Sequence, residues 1–138
     1  FVTGLFGEPQ IVNYLANVEN GIDTSGILSL DYGDKKVVCI GAKDSTAPIR
    51  TIIQGDNGAI IIEGPTSLID KFTVIDRQNN SKTVDFKVHT HRMYEEFIEF
   101  ERIIREFDFE TMKKKLDHSE LVMSVVDKGL ESAGISLG

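Results

Sequence analysis

From Gln10 to Val88 apolar and polar residues alternate with a period of two, and turn-forming residues interrupt the alternation at regular intervals. Val12, Tyr14, Ala16 and Val18 fall on one face of the first run, with Asn13 and Asn17 on the other. Asn20-Gly21 is a turn signal, and Gly26 to Tyr32 then alternates Leu28, Leu30 and Tyr32 against Ser29 and Asp31. Gly33-Asp34 predicts a two-residue hairpin into a strand over Lys36 to Ala42, because glycine supplies the positive φ that primed turns need. Residues 43–48 read as a loop. Strands are predicted over Ile49 to Ile53 and Ala59 to Glu63, joined by the tight turn Gly55-Asp56-Asn57-Gly58. A third pair, Phe72 to Asp76 and Thr83 to Val88, brackets Gln78-Asn79-Asn80, so the expectation is an antiparallel meander.

Beyond this the period lengthens to 3.6. Met93, Phe97, Phe100, Ile104 and Phe107 recur at spacings of four, three, four and three and line one face of a helix. A short helix from Phe109 to Leu116 is predicted with Asp108 as its N-cap, and Asp117 to Glu120 resembles a capping box that opens a separate last helix. In that helix Leu121, Val122, Val125, Val126 and Leu130 form the buried stripe, and Gly134-Ile135 has the residue types of a Schellman stop. Strands first and helices afterwards predict an α+β fold, an open and largely antiparallel sheet with helices packed on one face. Phe1, Val2, Leu5 and Phe6 have helical spacing cut short by Gly7 and Pro9, and read as the last turn of a helix whose beginning is missing.

A length of 138 residues predicts one domain around one core. The net charge of -7 opposes binding to nucleic acid and to anionic lipid, and no apolar run approaches the ~20 residues of a membrane-spanning helix. A single cysteine, Cys39, precludes an internal disulfide and favours a reducing, cytoplasmic setting. It lies in the apolar run Val37 to Ile40, where burial raises a thiol pKa and leaves it inert.

Chemistry-bearing residues are few. No Gly-x-Gly-x-x-Gly turn, phosphate-binding loop or two-histidine metalloprotease helix occurs. Gly55 and Gly58 sit between two strands and read as a hairpin, with no phosphate role. His89 and His91 bracket Thr90 at a strand end, where both imidazoles could face one way, but a metal site would need a third ligand. His118 reads as solvated, and Glu95, Glu96, Glu99 and Glu101 as a wet helix face. The residues with the reach and charge to contact a small-molecule substrate are Lys43, His91 and Arg92.

Five stretches, taken in order, resemble the C-terminal domain of the glucose-fructose oxidoreductase and inositol dehydrogenase family, nearest its dihydrodiol-dehydrogenase-like members. They are Phe6-Gly7-Glu8-Pro9, Gly21 to Gly26, Ile53 to Gly58, His91 to Phe97 with Phe100, and His118-Ser119 through Val126-Asp127 to Ile135. The resemblance implies a C-terminal domain of the glyceraldehyde-3-phosphate dehydrogenase-like type, which shapes a substrate pocket and pairs with a second copy through its sheet. It also implies an N-terminal Rossmann domain, absent from this sequence, that binds NAD or NADP. The family's catalytic lysine lies in a Glu-Lys-Pro motif, whereas the three prolines here follow Glu8, Ala47 and Gly64. The only spacing that matches its Asp-x-x-x-His motif, Asp85 to His89, falls in a predicted strand, so no catalytic residue carries over.

The expectation is therefore the substrate and dimerisation domain of an NAD(P)-dependent oxidoreductase of sugars, polyols or diols, inactive and cofactor-free by itself. The alternative is a free-standing, non-enzymatic binding or scaffold domain, since a fold does not dictate a function. A small complete enzyme using His89, His91 and Glu95 is a third possibility, which turnover by this chain alone would reveal.

Overall fold

The computed structural model describes residues 1–87, 89, 91 and 93–136. Its elements run α1 (Val2–Phe6), β1 (Ile11–Glu19), β2 (Ile22–Asp31), β3 (Lys36–Ala42), β4 (Arg50–Gly55), β5 (Gly58–Glu63), β6 (Lys71–Asp76), β7 (Ser81–Asp85), α2 (Tyr94–Glu106) and α3 (Phe109–Ser132). The class is α+β with antiparallel strands throughout, in two sheets of order β1-β2-β3 and β4-β5-β6-β7. Where the length suggests one core, the chain folds as two compact units, residues 1–46 with 107–138 and residues 47–106. Within each sheet consecutive strands pair, whereas β3 and β4 belong to different sheets, which is where the division falls. No helix among the described residues is long and apolar enough to cross a membrane.

In the first unit α3 packs on β1. Gly129 permits the close approach, because a Cβ there would lie 3.2 Å from Leu28 Cδ1 and 3.8 Å from Val12 Cγ1. Leu30 and Val125 are buried, and the N–H of Tyr14 donates to Ser132 Oγ at 2.8 Å, tying the helix end to strand β1. The opposite face of this sheet is bare. Leu15, Ile27 and Ile40 stand directly opposite one another across the three strands, and all are exposed. The β1–β2 ladder shifts register between Asn17 and Val18, after which Val18 faces Asp23. Such a bulge leaves one extra residue on one strand and re-aims the side chains beyond it.

The expected turn forms at Gly33-Asp34, the two residues between Tyr32 and Lys35, which continue the register of Asp31 and Lys36. The Tyr32 N–H donates to the Lys35 carbonyl, and the Asp31 carboxylate takes both the Gly33 N–H and the Lys36 ammonium. The Asp31 carboxylate thereby braces the hairpin tip.

The second unit holds the other sheet, in which Ile62 of β5 is buried. Asp76 closes the β6–β7 connection by accepting from the N–H groups of Gln78 and Asn80 and from the Asn80 side chain. Val88, expected to end the last strand, lies outside the described residues. In α2 the apolar stripe is not a buried one. Phe97, Phe100 and Ile104 are exposed, as is Phe107 beyond the helix end, whereas Ile103 is buried.

The two helices expected after Asp108 are one. Asp108 is the N-cap, its side chain accepting from the Thr111 N–H, and the helix runs unbroken through Asp117 to Glu120. Asp117 pairs with Lys113 one turn back, and the Ser119 hydroxyl donates to the Lys115 carbonyl, so the apparent capping box is spent within the helix. The Schellman stop forms as its residue types suggest. Gly134 has φ +70°, its N–H meets the Glu131 carbonyl, and the Ile135 N–H reaches back to the Leu130 carbonyl.

Candidate functional site

Strand β3 ends at Ala42, which delivers Lys43 beside the start of β2, where its N–H donates to the Thr24 carbonyl at 2.7 Å. The Lys43 ammonium donates to Asp23 Oδ1 at 3.0 Å and to the Asp23 carbonyl at 2.9 Å. Asp23 Oδ2 accepts from the Tyr14 hydroxyl, also at 3.0 Å. Tyr14 of β1 and Lys43 just past β3 thus converge on the Asp23 carboxylate of β2.

Gly26 makes room for this arrangement. The Tyr14 ring crosses its Cα so closely that a Cβ would lie 2.4 Å from Cε2. The Lys43 ammonium, followed by the Tyr14 hydroxyl, holds the Asp23 carboxyl below its ordinary value. Partial burial, then the neighbouring carboxylate, pushes the Tyr14 phenol up. Sequence reading singled out Lys43 but missed Tyr14 and Asp23. The Asn20-Gly21 turn places Asp23 opposite Val18, but the register at Tyr14 follows only after the bulge at Asn17 and Val18, which no local signal marks.

Because its folded value is depressed, Asp23 stabilises the fold above the ordinary aspartate range and loses that contribution as pH falls through the depressed value. The stability difference between the protein and Asp23→Asn, measured by urea unfolding, is therefore expected to be largest at neutral pH and to shrink below about pH 4. A difference that grows on acidification would contradict the pairing.

His91 belongs to the other unit, at the entry to α2. Its Nδ1 accepts from the Met93 N–H at 3.3 Å and its carbonyl from the Tyr94 N–H at 3.1 Å, so it acts locally as a turn-forming residue while its ring stays exposed. His89 pairs through Nε2 with Glu95 at 2.9 Å and stacks on Tyr94, with ring centroids 4.0 Å apart. The two imidazoles therefore have separate partners. Arg92 lies outside the described residues.

Among the described residues no group of three or more histidine, cysteine or carboxylate side chains could hold a metal ion. Cys39 is half-buried, and that burial pushes its thiol up. The Gly55–Gly58 turn joins two strands, as its hairpin reading expects, and Gly58 packs beneath the Ile75 carbonyl.

No family model matches this chain. The uncharacterized oxidoreductase YgjR of Escherichia coli K12 is 38% identical over 60 residues, a stretch that makes up 43% of this chain and 18% of YgjR. Two solved structures share the fold. A candidate oxidoreductase from Klebsiella pneumoniae superposes over 96% of this chain and 44% of its own, with a TM-score of 0.66 and 18% identity. The candidate oxidoreductase yvaA of Bacillus subtilis superposes over 96% and 45%, with a TM-score of 0.61 and 19% identity. The chain is thus an α+β domain that resembles part of an oxidoreductase in sequence and spans less than half of both of these solved chains.

Proposed function

We propose that this chain is the C-terminal, substrate-side and oligomerisation domain of a cytoplasmic NAD(P)-dependent oxidoreductase of the glucose-fructose oxidoreductase and inositol dehydrogenase type. The observation that carries the reading is the pattern of coverage. Nearly the whole chain superposes on under half of two larger proteins described as candidate oxidoreductases, while its own glycines offer no dinucleotide turn. Hydride chemistry then belongs to a Rossmann domain elsewhere in the parent protein. On this reading Lys43, His91 and Arg92 are each taken as candidate contacts to a sugar, polyol or diol.

The test is the natural polypeptide, captured from source cells with an antibody against this chain, weighed intact and assayed for nicotinamide absorbance change with a panel of polyols and sugars. A parent at least about twice this length, with turnover that this chain alone lacks and a KM raised by Lys43→Ala, is expected. A natural polypeptide no longer than this chain would sink the reading and leave a free-standing binding domain.

The bare face formed by Leu15, Ile27 and Ile40 supports dimerisation through a second copy, since apolar rows of this kind are hidden in stable assemblies. Ile40→Lys is expected to convert the dimer to a monomer in sedimentation or light-scattering measurements. An unchanged mass would count against this face.

A further inference from the structure

The chain contains two Asn-Gly pairs, Asn20-Gly21 and Asn57-Gly58, both in hairpin turns and both with an exposed asparagine. Their backbones differ. Asn20 and Gly21 have φ of +53° and +80° and form a two-residue loop between the paired residues Glu19 and Ile22, the arrangement of a type I′ turn. Gly21 lies outside the ladder and is exposed, and a Cβ added to it would meet nothing within 4 Å. Gly58 is held on both sides, opposite Gly55 on β4 and Asp76 on β6, and a Cβ there would lie 2.0 Å from the Ile75 carbonyl oxygen. The peptide group after Asn20 therefore lies at an open turn tip with no ladder partner for Gly21, and the one after Asn57 leads into a residue paired on both sides.

We propose that Asn20 is a self-modification site, at which the native chain deamidates selectively while Asn57 is protected. The Gly21 backbone nitrogen, on losing its proton, attacks Asn20 Cγ. A C–N bond forms, the bond from Cγ to Nδ2 breaks, and ammonia leaves, giving a five-membered succinimide. Water then adds to one of the two ring carbonyls and opens it to aspartate or to isoaspartate. No electrons are exchanged, and water and ammonia are the only other species consumed or released. Glycine permits the attack because no side chain obstructs its nitrogen.

The product matters to the fold. Isoaspartate adds a carbon to the main chain within a two-residue turn whose length sets the Glu19–Ile22 register, just before the Asp23 that holds Lys43. Both products also place a new negative charge near Asp23.

The experiment incubates this chain at mildly alkaline pH, native and in guanidinium, and follows both Asn-Gly peptides by mass spectrometry with isoaspartate detection. The two asparagines are expected to convert at similar rates when unfolded. In the native chain Asn57 should fall several-fold behind Asn20, with the Asn20 rate rising with pH. Asn20→Gln should abolish the first trace and leave the second unchanged. Equal native rates, faster conversion at Asn57, or protection of both sites would overturn the proposal.

Discussion

Gly58→Ala is expected to destabilise the four-stranded sheet by about 3 kcal/mol or more, summing a strained backbone and an overpacked contact. Gly58 has φ +143°, a conformation L side chains rarely adopt. A Cβ would also stand 2.0 Å from the Ile75 carbonyl oxygen and 3.0 Å from Asp76 Cα. Both obstacles are backbone atoms of the paired strand β6, so no side-chain rotation relieves them and the ladder itself must move. Gly21→Ala is the control, since its φ is positive but the space around it is open, and it should cost only about 1–2 kcal/mol. Urea unfolding measures both, and hydrogen exchange at β5 and β6 amides locates the damage. Equal costs for the two variants would mean that the close approach at Gly58 carries no weight.

A comparable loss, about 2–3 kcal/mol, is expected for Gly26→Ala, for a reason that involves the candidate site. The new Cβ would lie 2.4 Å and 2.7 Å from two atoms of the Tyr14 ring, and 2.7 Å from the Leu15 carbonyl oxygen. The ring can swing away, but doing so pulls its hydroxyl off Asp23 and loosens the carboxylate that holds Lys43. An aromatic side chain laid over a strand glycine is a recognised way to cover exposed backbone, and here it also sets a polar contact. In a double-mutant cycle, Gly26→Ala should therefore cost at least about 1 kcal/mol less on a Tyr14→Ala background, with the remainder due to the Leu15 carbonyl. Strictly additive losses would show that the ring and the glycine are independent.

Local signals were read well where the chain satisfies its own backbone. Strand β3 has the bounds that alternation and flanking turns suggest, Asp108 caps α3, and Gly134 with Ile135 stops it. Errors arose where two local solutions competed. Asp117 to Glu120 carries the residue types of a helix start, yet with no glycine or proline nearby the existing helix continues through it, and Asp117 finds Lys113 instead. Gly33-Asp34, by contrast, forms the hairpin its residue types suggest, with Asp31 bracing the tip by taking two donors at once.

The candidate site was legible only in part. Lys43 stood out as a charge leaving a strand, but nothing local to it names Asp23 or Tyr14. Those partners depend on two strand registers and on the bulge at Asn17 and Val18. His91 likewise stood out as a polar residue at a junction, and its neighbours Met93 and Tyr94 account for the hydrogen bonds it makes.

The sequence by itself determined the α+β class, the order of strands and helices, and the turns that join them, because periodicity, glycine placement and capping act within a few residues of chain. Tertiary structure alone decided which faces are covered. The apolar stripe of α2 and the row Leu15, Ile27 and Ile40 satisfy the same periodic rule as Leu30 and Val125, yet the first two are exposed and the last two buried. Periodicity states which residues share a face. What covers that face, and which distant carboxylate meets a given lysine, depends on contacts between segments far apart in the chain.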